Sequence, residues 1–445
     1  MADKDDGGAI GVWSAIAIGV GGMVGGGIFA VLGLAVQLAH GGTPVAFALA
    51  GIVALLTTYS YIRLSLTLPS QGGTVTFLDR AFGSGLLTGS LNILLWLSYV
   101  VMLSLYSYAF GSYAAALIPG AALTKHLALS GIVVLATLLN AVGSKLLGEA
   151  ETWIVGLKVA ILLFFVGVGL TGVEPGRLAP GTWTAPTQLF AGGMIIFLAY
   201  EGFELIANTA GDLSDPERTL PRAFYSAVLF VLVLYLLVAA VSVGNLPVPK
   251  IVQAKDYALA EAARPFLGRA GFTLIAIAAL LSTASAINAT LYGAARLSYV
   301  IAKDGELPEV LEKKIWSKPL EGLLLTAAAT LAVANLFDLS SISTMGSAGF
   351  LLVFAAVNAA NLRMRERTGS NLWIPALGLG ACLVALAALV WHTWIDSPGR
   401  IVVLVVMAGL SVGLEAGYRA VTGRELRLKV LRLKSAKTGS DDSVG

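Results

Sequence analysis

Apolar stretches of about 20 residues, the length that crosses a bilayer as a helix, recur twelve times in this chain of 445 residues. They lie at about 10–34, 43–68, 85–117, 127–147, 151–173, 187–209, 222–246, 270–301, 320–337, 341–362, 373–394 and 400–420. Nothing else constrains the fold as much. A soluble chain of this length needs a polar coat, and with 12% charged residues against 57% hydrophobic ones the coat is missing. The same composition excludes a disordered or fibrous chain. A β-barrel is excluded too, because its strands alternate polar and apolar residues. The expected fold class is an all-α integral membrane protein with 12 transmembrane helices, an even number that puts both ends on one side.

Lys and Arg accumulate in cytoplasmic loops. With the N-terminus inside, 21 of the 29 basic residues are cytoplasmic and seven lie outside, with Lys158 in neither set. This ratio predicts a multi-pass protein of the cell membrane with both termini cytoplasmic. Residues 1–9 are a short N-terminal segment, acidic and polar, in which no cleaved signal is expected. Residues 421–445 form a basic tail in which Arg424, Arg427, Lys429, Arg432 and Lys434 alternate with Leu and Val. Anchoring to anionic lipid headgroups is its plain reading. Two connections are longer than the others, Pro247 to Arg269 and Lys303 to Pro319.

Several chemistries have no support. Cys382 is alone and lies in an apolar run, while His40, His126 and His392 are scattered at the ends of such runs. No metal-ligand spacing and no catalytic constellation results, so no cofactor, no metal site and no enzyme is expected. The net charge of +3 is small and confined to loops and tail, which gives no footprint for nucleic acid. No Walker motif is present, so ATP drive is not expected.

Two spans carry signs of interruption. Span 1 has six glycines in nine positions, Gly19, Gly21, Gly22, Gly25, Gly26 and Gly27. Each costs a helix about 1 kcal/mol relative to Ala, and a close packing face needs small residues four apart, not three in a row. Backbone released from helical bonding survives at membrane depth where it lines a cavity or is buried in protein. Span 6 reads Phe197-Leu198-Ala199-Tyr200-Glu201-Gly202-Phe203-Glu204, broken by Gly202 between two acids. Spans 1 and 6 hold corresponding positions in two groups of five, and an odd number per group inverts the second. Paired broken helices in an inverted repeat point to a transporter site at the midplane. Half-helix N-termini suit a carboxylate and freed carbonyls suit an ammonium. Such a site fits a zwitterionic amino acid.

These residues resemble those of the amino acid–polyamine–organocation (APC) transporters. Gly22-Met23-Val24-Gly25-Gly26-Gly27-Ile28-Phe29 resembles the family's span-1 signature. Pro69-Ser70-Gln71-Gly72-Gly73 with Ala81-Phe82-Gly83 resembles the loop after span 2. Tyr200 to Glu204 with Asp212, Asp215-Pro216-Glu217-Arg218 and Pro221-Arg222-Ala223 is similar to the span 6–7 signature. Asn288, Gly293, Arg296 and Asp304-Gly305-Glu306-Leu307-Pro308 resemble the end of span 8. The likeness covers residues 10–370 or so.

The resemblance implies a leucine-transporter-like fold: a first five-helix repeat at 10–173, an inverted one at 187–362, and two further helices at 373–420. It implies that Gly25, Gly26 and Gly27 present amides to the substrate carboxylate, and that carbonyls near Gly21, Gly22, Phe197 and Tyr200 accept from its amine. Phe203 and Glu204 follow the family pattern in which the acid after Gly202 helps couple the gate. Leu198 stands where some members place an aromatic gate. Glu201 departs from the pattern; it is read as a site for a cationic group or a proton, or as the partner of a loop amide. Tyr106 is a candidate for the side-chain pocket.

Lys158 lies eight residues into span 5, about 12 Å deep at about 1.5 Å per residue. A bare charge at that depth costs about 3 kcal/mol or more, so the amine is expected to load and release a proton near neutral pH. The alternative is a permanently charged lysine tied to backbone carbonyls. The resemblance to a lysine-bearing branch implies that its ammonium replaces the sodium ion of sodium-coupled relatives. Contacts are then expected with a carbonyl near Gly19 and with the hydroxyls of Ser282 and Ser285, although Ser commonly back-bonds within its own helix. The leading expectation is a proton-coupled amino acid symporter with Lys158, Glu201 and Glu204 as protonatable groups. The competitors are a sodium- and proton-independent exchanger and a membrane amino acid or polyamine sensor. The sequence does not speak to oligomeric state.

Overall fold

The computed structural model describes residues 10–118, 122–142, 146–303 and 320–422. Segment 1–9, the basic tail beyond 422 and the Asp304–Pro308 stretch lie outside the described residues. The first apolar run is split into α1 (Val12–Met23) and α2 (Gly27–Ala39), bent by 46°. Then follow α3 (Thr43–Thr67), the short α4 (Thr74–Phe82), α5 (Leu86–Leu117), α6 (Ala122–Val142) and α7 (Leu146–Gly169). Three 3-10 turns between 170 and 182 lead to α8 (Pro186–Ile195). Beyond α8 the chain continues as 3-10 turns at Phe197–Tyr200 and Phe203–Asp212, bent by 47° from α8. The remainder is α9 (Pro216–Asn245), α10 (Val248–Ala254), α11 (Ala258–Lys303), α12 (Leu320–Leu336), α13 (Leu339–Arg363), α14 (Arg365–Thr368), α15 (Trp373–Asp396) and α16 (Pro398–Thr422).

Among the described residues, nine helices are long and apolar enough to cross a membrane, and eleven spans result if each bent pair counts as one. α12 is a further apolar helix of 17 residues, short of the roughly 20 that a straight crossing takes. The chain is therefore an all-α, multi-pass membrane protein. Only isolated bridges of strand type occur among the described residues, Ile10 with Leu213 and His40 with Trp183. The first of these ties the start of span 1 to the end of span 6, with the Ile10 N–H donating to the Asp212 carbonyl at 3.0 Å.

Burial sorts the helices into an inner and an outer set. In α13, 83% of the apolar window is enclosed by protein, whereas in α16 only 17% is. α16, α15, α6 and α7 bare Leu, Val and Trp side chains such as Leu135, Trp153, Leu383, Trp391 and Val406. In lipid such exposure costs nothing, because acyl chains are as apolar as Leu. α5 and α11 pack along each other, as do α3 and α9, with α1 laid against α9.

Two connections that read as loops contain helices. Pro69 to Gly83 contains α4, whose Val75, Phe77, Leu78 and Ala81 are buried; nine residues are too few for a span-like apolar signal. Pro247 to Arg269 is also largely helical. Pro249 stands in the first turn of α10, where its fixed φ suits a helix start. α11 then runs from Ala258 past a bend at Gly268, with φ 62°.

The two breaks meet. A Cβ on Gly22 would lie 2.8 Å from the Gly202 carbonyl oxygen, and one on Gly202 would lie 2.5 Å from the Gly22 carbonyl carbon. Gly202 also has φ 111°, a conformation that L side chains rarely adopt. Backbone lies on backbone here, and no side chain fits at either position. Gly202→Ala is therefore expected to cost about 1–3 kcal/mol from conformation alone, seen as a lower unfolding temperature in detergent. An unchanged unfolding temperature would show that the breaks are not held in contact.

Candidate functional site

Unwinding a span frees carbonyls that have no water to turn to. In span 1 they are met by side chains from three other helices. Lys158 Nζ on α7 donates to the Gly21 carbonyl at 3.0 Å. The Tyr235 hydroxyl on α9 donates to the Met23 carbonyl at 2.7 Å. Ser282 Oγ on α11 lies 2.8 Å from the Val24 carbonyl and 2.7 Å from that of Gly25, so its one proton is shared between them.

Span 6 is held in the same way. The Ile195 carbonyl accepts from Ser343 at 2.7 Å and from Ser347 at 2.8 Å, both on α13, and the Leu198 N–H donates to Ser347 at 3.0 Å. Tyr235 reaches this break too, 3.2 Å from the Ala199 carbonyl. One phenol thus touches both interrupted spans. At the Gly202 turn, Glu204 Oε2 accepts from the Gly202 N–H at 2.8 Å while Oε1 accepts from the Tyr99 hydroxyl at 3.0 Å.

The residues expected at a substrate site gather closely but not uniformly. Gly26 caps α2 and Gly27 opens it, so the amides there belong to a helix start that lacks intrahelical acceptors, while Gly25 lies just before the cap. The Tyr106 ring covers Gly26, where a Cβ would come within 2.5 Å of it, and Thr283 and Ala286 close the other side of Gly26 and Gly25. Gly27 lies against Ala199, and Leu198 lies against Gly346. The Gly21 carbonyl already accepts from Lys158, and that of Gly22 from the Gly25 N–H at 3.1 Å. The Tyr200 hydroxyl turns away, donating to the Phe47 carbonyl at 2.9 Å. Phe203 stacks among Tyr61, Phe224 and Phe354, and Phe197 meets the same Phe354, so both rings belong to an aromatic cluster.

The span-1 carbonyl that Lys158 reaches, expected near Gly19, is that of Gly21. The bond goes to Gly21, whereas Gly19 packs against Ile206 and Ala227, where even a Cβ would crowd. Ser285 lies half-buried three residues beyond Ser282. Lys158, Glu201 and Glu204 are 2%, 3% and 2% exposed, as expected of charges inside spans. A fourth, Glu415 on α16, escaped the sequence reading. It is 1% exposed and pairs with Arg419 one turn on at 2.5 Å. Its proximity to a basic tail disguised it as a span-end charge. Tyr235, Ser343 and Ser347 were also missed, because nothing local separates a hydroxyl that bonds across the fold from one that back-bonds.

Ser282 and its neighbour Thr283 separate these roles. Thr283 Oγ1 bonds the Ala279 carbonyl at 2.7 Å within its own helix. Removing the only hydroxyl directed at span 1 from this pair leaves two buried carbonyls short of a donor, worth about 1–3 kcal/mol. Ser282→Ala is therefore expected to lower the unfolding temperature clearly more than Thr283→Ala does. Equal effects would contradict the clamp.

The sequence was also compared with known proteins. A family model described as amino acid permease matches residues 10–412. An uncharacterized protein of Methanocaldococcus jannaschii is 37% identical over 93% of this chain and 96% of its own length. The inner membrane transport protein YbaT of Escherichia coli is 33% identical over 86% and 90%, and the branched-chain amino acid permease BcaP of Lactococcus lactis is 27% identical over 80% and 82%. With two touching interrupted spans and a family match over nearly its whole length, the chain belongs to the amino acid permeases, within the APC superfamily, as a membrane transporter and not an enzyme.

Proposed function

We propose that this protein is a secondary amino acid transporter of the cytoplasmic membrane that couples uptake to protons by alternating access. The observation that carries the reading is the bond from the buried Lys158 amine to the Gly21 carbonyl, next to the span-1 break. A protonated amine bridges α7 to α1; the neutral amine loses most of the attraction, since a charge-assisted hydrogen bond is roughly twice as strong as a neutral one. A proton thereby biases a two-state element, which is what coupling requires.

The architecture in this reading has twelve passes, α12 among them, in a leucine-transporter-like 5+5 arrangement with repeats at 10–173 and 187–362. The bent pairs at corresponding positions, and the packing of α3 on α9 and α5 on α11, support it. The excess of cytoplasmic basic residues puts both termini inside, with the tail on anionic lipid. The amides of Gly25, Gly26 and Gly27 receive the substrate carboxylate. Carbonyls at Gly21, Gly22, Phe197 and Tyr200 face its ammonium, beside Gly202 and Phe203. Ser282 and Ser285 line the lysine's side of the break. The family description and the name of the Lactococcus lactis relative favour amino acids as the cargo.

Proteoliposomes without internal substrate test this directly. An inward acid gradient of one pH unit holds about 1.4 kcal/mol per proton, which sustains accumulation of labelled amino acid up to about tenfold for one proton per substrate. The wild-type protein is expected to concentrate its substrate under this gradient, and Lys158→Ala to lose that stimulation. Uptake that needs internal counter-substrate and ignores the gradient would make the protein an exchanger, with Lys158 a fixed charge.

A further inference from the structure

The C-terminal end of α5 and the N-terminal end of α6 meet the 3-10 turn Lys255–Tyr257 between α10 and α11. The orientation proposed above puts this end of the fold outside. Ser112, Ala115 and Ala116 of α5, Lys125 of α6, and Asp256 and Tyr257 of the turn line a pocket of about 360 Å³ there. Small-molecule sites occupy about 300–1,000 Å³. Lys125 Nζ lies 2.7 Å from Asp256 Oδ2, with side chains 20% and 17% exposed, and 3.6 Å from the centre of the Tyr108 ring.

This ion pair does not use up its own bonding capacity. An ammonium has three N–H donors; one reaches Asp256 and one side faces the Tyr108 ring, which leaves a donor for a guest. Asp256 Oδ1 is buried and has no hydrogen-bond partner among the described residues, a rare state for a buried acceptor. A half turn of the carboxylate exchanges its two oxygens and presents the free one to the pocket. The wall therefore offers a positive and a negative group side by side. A lone cation or a lone anion meets one attraction and one repulsion there, whereas a guest carrying both charges on neighbouring groups meets two attractions. An α-amino acid is such a guest, since its ammonium and carboxylate share one carbon.

The pocket also stands close to the interrupted span 1. Lys255, a non-glycine residue at φ 43°, sets its carbonyl against Gly33 of α2 and leaves no room for a Cβ there. From α5, the Tyr113 hydroxyl next to Ser112 donates to the Phe29 carbonyl at 3.0 Å. Gly33 is about 9 Å along α2 from Gly27, at about 1.5 Å per residue. We propose that this pocket is an entry site for zwitterionic amino acids, in which the carboxylate of the guest accepts from Lys125 and its ammonium donates to Asp256. Recognition uses only the charges that all amino acids share, so the site precedes any selection by side chain. Its place on a transport path rests on the reading above; its fit to a doubly charged guest rests on the pocket alone.

Thiol labelling of Ala116→Cys, in the full-length protein in nanodiscs, reads occupancy of the pocket. Cys382, the one native cysteine, is buried and does not compete for a charged reagent. L-alanine at ten times its half-effective concentration is expected to slow labelling about tenfold. Alaninamide, which lacks the carboxylate, and N-acetylalanine, which lacks the ammonium, are expected to leave the rate as it is. Adding Lys125→Met or Asp256→Asn is expected to abolish the protection, and should one variant not fold, the other decides. No protection by alanine, equal protection by either derivative, or protection that survives in the variant examined overturns the site. In proteoliposomes the same variants are expected to raise KM for uptake several-fold, and an unchanged KM overturns its place on the path. Labelling needs no gradient, so a failure of the proton-coupled reading leaves the protection in place and is told apart from a failure here.

Discussion

The structure depends on one requirement: a helix interrupted inside a membrane must have its freed backbone groups bonded by protein. Gly22 and Gly202 bring the two interruptions into contact, and at that contact there is no room for a side chain. Everything around it supplies donors. Lys158, Tyr235 and Ser282 serve span 1, Ser343 and Ser347 serve span 6, and Tyr235 serves both. The remainder of the fold is scaffolding that presents these side chains from α7, α9, α11 and α13.

Of these donors only Lys158 is an amine, the group that a proton can charge. A hydroxyl bonded to a carbonyl keeps its bond at any physiological pH, so Tyr235 and the serines hold the breaks permanently. In the proposed transport reading Lys158 is different, because its bond weakens when the amine gives up its proton. At the other break Glu204 holds the Gly202 turn through the N–H of that residue. The aromatic cluster of Tyr61, Phe203, Phe224 and Phe354 gives the assembly rigidity.

Much of this was legible in the sequence, and for definable reasons. Spans show themselves because a lipid-facing helix must be apolar for its whole length, and the break in span 1 shows itself because six glycines have no other use there. Lys158 stood out because charge inside a span is costly. Its partner was legible only as a carbonyl near Gly19, and the bond to Gly21 needed the structure, since glycine spacing tells where a helix weakens but not which carbonyl turns outward. Ser343 bonds a carbonyl 148 residues distant, and no local pattern reports such a pairing. Helix α4 was hidden because its amphipathic nine residues resemble a polar loop, and Glu415 because Arg419 and the basic tail follow it closely. The roles of Phe197 and Phe203 differ for a related reason: their positions next to the break are evident, but the direction of their rings is decided by aromatic partners on α3, α9 and α13.

The central claim is that protonation of Lys158 holds the span-1 break shut. Amide hydrogen exchange over residues 19–30 reads the opening of that segment. Measured across pH 5 to 9 and corrected for the intrinsic rate, protection in the wild type is expected to fall as the pH rises, and to be low at every pH in Lys158→Ala. Protection that is independent of pH in the wild type, or equal in the two proteins, would contradict the account.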